Sequence, residues 1–192
     1  MSVAQGGALR LFAAVDLPPT AERAAERAIE AWRVRLSGGM WVPSERWHVT
    51  VKFLGRTPTD VLEDVRGACA AAASRIRPFR VGLDGLGVFP SPGRARVLWI
   101  GLRDREGGLP ALARAVDDEL ANLFPPETRP FSPHLTVARF KPFTDMRAVI
   151  EELRSTRVEA SPFRVGKLVL YRSHLSPKGA RYEPVGTFAL SG

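Results

Sequence analysis

Two four-residue words, HVTV at 48–51 and HLTV at 134–137, constrain this chain more than any other feature of it. The sequence has three histidines, and two of them stand in these words, each followed two positions later by threonine. Both words have the alternating, β-branched character of a strand. On a strand His48 and Thr50 share one face, as do His134 and Thr136, with about 7 Å between the members of each pair. Val49, Val51, Leu135 and Val137 then face the opposite side, into core. The surroundings repeat as well: each word follows a helical stretch, and each is followed by Thr-Asp, at positions 59–60 and 144–145. A duplicated α+β unit satisfies this pattern, because neither half is large enough to bury its sheet face alone. Two such lobes packed together bring the two words into one cleft.

The rest of the chain supplies the elements such a duplication needs. ALRLFAAVDL at 8–17 reads as a strand ended by Pro18 and Pro19, after which Thr20 can cap a helix with the stripe Ala21, Ala24, Ala25, Ala28, Ile29, Trp32 and Leu36. WHVTVKFLG at 47–55 is a strand, and Thr59 can open a second helix carrying Val61, Val65, Ala68, Ala72 and Ile76. FRVGLDGLGVF and ARVLWIGL form a hairpin across PSPGR. A third helix carries Leu109, Leu112, Ala113, Val116, Leu120 and Leu123, and after HLTVARF a short fourth helix can be capped by Asp145. FRVGKLVLYRSHL and RYEPVGTFAL finish as strands.

At 192 residues and 45% hydrophobic content the chain can bury a core as one bilobal domain spanning 1–192, made of two intertwined repeats. Its formal charge of +8 favours polyanionic partners such as RNA or nucleotides, although the arginines are scattered and form no long run. No apolar run approaches the roughly 20 residues of a membrane span, and the opening residues lack the pattern of a signal peptide. The expectation is a cytoplasmic protein with no membrane partner. The single cysteine, Cys69, sits in an alanine-rich run and reads as a small buried thiol.

A cleft lined by two imidazoles and two hydroxyls suits a phosphodiester. In-line displacement at phosphorus needs a base beside the attacking oxygen and an acid beside the leaving oxygen, and histidine serves either role near neutral pH. Thr50 and Thr136 can donate to the non-bridging oxygens, and an arginine can balance the charge developing there. Arg139, five residues after His134, is the candidate, provided a bulge or the strand end turns it to the histidine face. Two histidines without a carboxylate or cysteine cluster fall short of a usual metal-ligand set. Phe12 and Trp41 are candidate platforms for a nucleobase. Lys52 shares the His48 face by parity and can reach a phosphate or line the solvent edge, whereas Trp47 and Phe53, at odd offsets, face away. His174 reads as a rim residue.

HVTVKFLG and HLTVARF resemble the paired His-x-Thr-x signatures of the two-histidine (2H) phosphoesterase superfamily. The likeness to its bacterial RNA 2′,3′-cyclic phosphodiesterase branch, historically called 2′-5′ RNA ligase, runs nearly end to end through RLFAAVDLP, WVPSERWHVTVKFLG, RVLWIGL, RPFSPHLTVARF and LVLYRSHLSPKGARYEP. The resemblance implies a bilobal α+β fold of pseudo-two-fold symmetry, with two antiparallel sheets lining a central cleft and helices outside. It implies no metal and no other cofactor, and a monomer acting on RNA with 2′,3′-cyclic phosphate ends, or on cyclic nucleotides, to leave a 2′-phosphate. By the same analogy His134 is the proton acceptor and His48 the proton donor; the residues alone leave that pairing open, and reversible 2′-5′ ligation remains compatible with it. A phosphodiesterase for another small cyclic nucleotide and a nonenzymatic RNA-binding module are the alternatives.

Overall fold

The computed structural model describes residues 7–177 and 179–192. In chain order they form β1 (Ala8–Asp16), α1 (Pro19–Arg35), β2 (Met40–Trp41), β3 (His48–Pro58), α2 (Leu62–Ser74), β4 (Phe79–Phe89), β5 (Ala95–Arg103), α3 (Gly108–Glu119), β6 (His134–Thr144), α4 (Ile150–Ser155), β7 (Phe163–Val165), β8 (Lys167–Ser176) and β9 (Gly179–Ala189). Helix α1 starts at Pro19, whose fixed φ suits a first helical position, and no side chain caps it, so Thr20 lies inside the helix. Helix α4 starts at Ile150, later than a cap at Asp145 would require. The Asp145 carboxylate instead accepts from the Arg147 backbone N–H at 3.0 Å.

The strands pair in the order β7-β4-β5-β6-β3-β1-β8-β9, with β2 added beside β6. The ladders are antiparallel throughout. The order splits the sheet into two halves, β9-β8-β1-β3 and β6-β5-β4-β7, and between them β3 and β6 share one residue pair, Val49 with Leu135. The halves are thus one curled sheet pinched at its centre, and the pinch falls inside the two repeated words. The first half takes its strands from both ends of the chain and the second from the middle, with β2 crossing over to β6.

One apolar cluster gathers the helix stripes and one face of the sheet. Ala21, Ala24, Ala25, Ile29 and Trp32 are the buried residues of α1, at the three- and four-residue spacing of a helix face. The Trp32 indole N–H donates to Thr156 Oγ1 at 3.1 Å and the Arg35 guanidinium pairs with Glu152, which ties α1 to the α4 region. Helices α2 and α3 pack together, with α3 against β3 and α2 against β8 and β9. Val49, Leu135 and Val137 are at most 1% exposed, so the strands carrying the histidines are anchored from behind. Burying side chains of this size contributes about 1.5–3 kcal/mol each. Cys69 is buried in this core, and burial pushes its thiol up to about 12, leaving it inert as a nucleophile near neutral pH.

Candidate functional site

The two words have the same burial pattern over seven residues: half-buried, buried, half-buried, buried, buried, exposed, buried. Strict alternation breaks at the fifth residue of each, and the strand pairing gives the reason. Ala13 and Ala14 of β1 pair with Lys52 and Thr50, skipping Val51. Leu98 and Trp99 of β5 pair with Ala138 and Thr136, skipping Val137. A β-bulge therefore occupies the equivalent position in both repeats and reverses the parity of the residues beyond it. Arg139 is thereby turned to the cleft, as its candidacy requires.

The bulge also corrects two expectations. Lys52 does not reach the cleft: it is 8% exposed, forms an ion pair with Asp117 of α3 and donates to the Pro125 carbonyl at 3.4 Å. Phe53 does the reverse; it stands five residues after His48, as Arg139 does after His134, and is 67% exposed on the cleft wall. The repeat itself held this signal, since a bulge needed for Arg139 applies equally to Phe53. Trp41 is a third correction. It pairs with Ala138 through β2, packs against the core beneath the Arg33 guanidinium at 5.7 Å and is not among the cleft-lining residues. Trp47 is buried, its indole N–H bonded to the Val42 carbonyl at 3.0 Å. His174 lies outside the cleft against Glu183 at 2.6 Å.

The cleft itself has a volume of about 560 Å³ and takes His48, Thr50, His134, Thr136 and Arg139 into one lining. With Val49 opposite Leu135 in an antiparallel pair, the next residues along set His48 beside Thr136 and Thr50 beside His134. Each imidazole is fixed the same way. His48 Nδ1–H donates to the Arg46 carbonyl at 2.9 Å, and His134 Nδ1–H donates to the Ser132 carbonyl at 2.8 Å. A carbonyl only accepts, so Nδ1 carries the proton in both rings, and Nε2 is the nitrogen left for chemistry. An aromatic edge braces each ring: Tyr182 lies 5.0 Å from His48 and Phe89 lies 5.0 Å from His134, centroid to centroid.

Phe12 lies under His48 at 4.7 Å and is stacked on Tyr171 at 5.4 Å. At 3% exposure it forms a floor for the imidazole, and its faces are taken, so an open platform for a base is not there. Tyr182, Arg46 and Arg10 join the lining from β9, the turn before β3, and β1. These contributions come from distant stretches, and no local pattern in the sequence announces them.

Burial lowers the pKa of both histidines, and the Arg139 charge adds to the effect on each, while the backbone acceptors oppose it. Two charges act on His48 alone: the Asp16 carboxylate, its strand partner on β1, favours the protonated ring, and the more weakly acting His134 opposes it. Asp16 is itself held by the Tyr171 hydroxyl at 2.7 Å and Lys167 at 3.1 Å. Burial and the neighbouring carboxylate push the Tyr171 hydroxyl upward, so it remains a donor. Among the described residues no three His, Cys, Asp or Glu side chains gather into a metal-ligand set, and no helix is long and apolar enough to cross a membrane.

The same architecture is found in known proteins. The RNA 2′,3′-cyclic phosphodiesterase of Geobacillus stearothermophilus is 34% identical over 94% of this chain, which spans 57% of that longer protein. A crystal structure of a Thermus thermophilus protein superposes with a TM-score of 0.75 at 32% identity, covering 96% of this chain and 99% of that one. The E. coli LigT complex with 3′-AMP superposes with a TM-score of 0.72 at 30% identity over 96% and 99% of the two chains. The sequence profile of the 2′-5′ RNA ligase superfamily matches residues 18–177, both histidine words included. With the family profile covering most of the chain, this chain belongs to the 2′-5′ RNA ligase superfamily.

Proposed function

We propose that this chain hydrolyses RNA 2′,3′-cyclic phosphates to 2′-phosphate ends by paired-histidine acid–base catalysis that needs no metal ion. One observation carries the reading: two imidazoles from equivalent strand positions, each pinned at Nδ1, share one cleft with two threonines and an arginine. The activity named for the Geobacillus relative and the 3′-AMP bound to LigT support the same substrate class.

His134 Nε2 takes a proton from water as the water oxygen attacks phosphorus. The bond from phosphorus to the 3′ oxygen breaks, and His48 Nε2–H protonates that oxygen, leaving the phosphate on the 2′ oxygen. The Asp16 carboxylate, acting on His48 alone, supports the protonated role for that ring. Thr50 and Thr136 donate to the non-bridging oxygens, and Arg139 balances the charge that develops on them. Ring strain already activates the cyclic phosphate, so positioning and proton transfer suffice. With a 5′ hydroxyl in place of water as the nucleophile, the same two roles open the cyclic phosphate to a 2′-5′ linkage and a free 3′ hydroxyl, and the reverse of that ligation exchanges the two histidine roles. Phe53, in place of Phe12 and Trp41, is the stacking surface for a base.

The site is complete within one chain, which supports a monomer acting as one bilobal domain, and cytoplasmic RNA is the expected substrate pool. The cleft volume of about 560 Å³ is of nucleotide scale and favours, as a second reading, a small cyclic nucleotide. A short RNA ending in 2′,3′-cyclic phosphate, incubated with and without EDTA, tests the proposal. Conversion to the 2′-phosphate in both samples is expected; a 3′-phosphate product or dependence on metal contradicts it. Preference for a cyclic mononucleotide over the oligonucleotide moves the assignment to the second reading.

A further inference from the structure

The cleft is matched in the second half of the sheet by a larger groove of about 980 Å³ along β4, β5 and the segment after α4. Five arginines line it, Arg80, Arg103, Arg105, Arg154 and Arg157, against three carboxylates, Asp84, Glu106 and Glu159. Arg103 is paired with Asp84 at 2.8 Å, and Arg154 turns to Glu151 on its own helix. Arg105 and Arg157 are exposed, and among the described residues they make no ion pair. Arg80 makes no ion pair either, its guanidinium donating to the Pro162 carbonyl, and Glu106 and Glu159 are likewise unpaired, so with five arginines against three carboxylates the groove holds a positive excess that attracts anions.

Its position relates it to the histidines. Along β5, Val97 lines the cleft, and Trp99, Gly101 and Arg103 follow it on the same face at two-residue steps. Gly101 pairs with His134, so Arg103 stands about 7 Å further along that face. Gly101 lies in between, with the Gly85 carbonyl oxygen and the Trp99 ring 3.4 and 3.5 Å from where its Cβ would stand, and Gly85 is packed against the Arg154 carbonyl, so a closed protein surface joins the cleft to the groove. From these features we infer that the body of an RNA substrate leaves the cleft past His134 and lays its phosphodiester backbone in the arginine groove. Arg105 and Arg157 contact the phosphates there.

This rests on the proposed activity at the cleft, and kinetics on two substrates separate the two claims. Arg105→Glu/Arg157→Glu is compared with the parent protein on a cyclic mononucleotide and on an oligonucleotide with the same cyclic end. Arg23→Glu/Arg27→Glu on α1 serves as a control of equal charge. The groove variant is expected to raise KM for the oligonucleotide about tenfold, to leave kcat and the mononucleotide kinetics unchanged, and to flatten the slope of log KM against log salt by about 1.4. Anisotropy with a labelled RNA ending in a 3′-hydroxyl should show the same weakening without any turnover. Equal effects on both substrates, no effect on either, or an equal effect of the α1 control overturns the groove assignment. Loss of turnover in the parent protein, with groove-dependent RNA binding intact, counts instead against the proposed hydrolysis.

Discussion

Lys52 gives the sharpest test of how the bulge organises this site. The Lys52 side chain is 7% exposed and that of its partner, Asp117, 24%. The two therefore respond unequally to loss of the other. Asp117→Ala leaves an ammonium group enclosed with only the Pro125 carbonyl at 3.4 Å, at a cost of about 3 kcal/mol. Lys52→Met leaves a carboxylate that water can still reach, at a cost of about 1 kcal/mol. For a domain of this size each kcal/mol lowers Tm by about 2–4 °C, so the drops are about 6–12 °C and about 2–4 °C. The double variant should recover part of the Asp117→Ala loss, because the buried charge is gone. Thermal unfolding followed by circular dichroism, alongside kinetics on a cyclic phosphate substrate, reads both effects. Lys52→Met is expected to keep KM within about twofold. A tenfold rise in KM with an unchanged Tm would refute the core-side placement and return Lys52 to the phosphate.

The same geometry sets other outcomes. Arg139→Gln should lower kcat about 10²- to 10³-fold, and because the Arg139 charge depresses both rings, it should also move the pH profile of kcat/KM upward. Since burial first, and Arg139 with it, lowers both histidines, the parent kcat/KM optimum should lie below pH 6.5, and the kcat optimum should lie higher once an anionic substrate is bound. The stability linkage has a matching sign: the folded protein prefers neutral rings, so their contribution is fully present above about pH 6.5 and is lost as pH falls from there through the lowered folded values, visible as a Tm that drops below pH 6.5. Phe53→Ala should raise KM about tenfold for nucleotides that stack on it while kcat changes little. Gly87→Ala should cost about 1–3 kcal/mol, because a Cβ there collides with the Trp99 ring that packs against Phe89 beside His134.

Much of this site is legible in the residues, and the limits have identifiable causes. The histidine and threonine positions come from period-two alternation within a duplicated word, a local rule that holds up to Thr50 and Thr136. Alternation fails at Val51 and Val137, where the extra residue is set by pairing with β1 and β5 rather than by the word itself. Arg139 is recoverable because its chemistry demands a bulge or a turn at the strand end; the bulge, applied across the repeat, places Phe53 as well. Trp41 escapes a local reading because β2 pairs with β6, a partner almost a hundred residues away in the chain. Phe12 falls on the expected strand, yet Tyr171 and Tyr182, which cover it, come from β8 and β9. Strand existence is written locally, while the occupancy of a ring face is decided by distant neighbours.

The central claim is that the two histidines act as one catalytic unit on the cyclic phosphate. The most direct measurement is kcat/KM on an RNA ending in 2′,3′-cyclic phosphate for the parent, His48→Ala, His134→Ala and the double variant, with circular dichroism confirming that each is folded. Each single variant is predicted to lose about 10²- to 10⁴-fold, and the double variant to lose little more than the worse single. A single variant retaining turnover within tenfold of the parent, or losses that multiply in the double variant, would contradict the account.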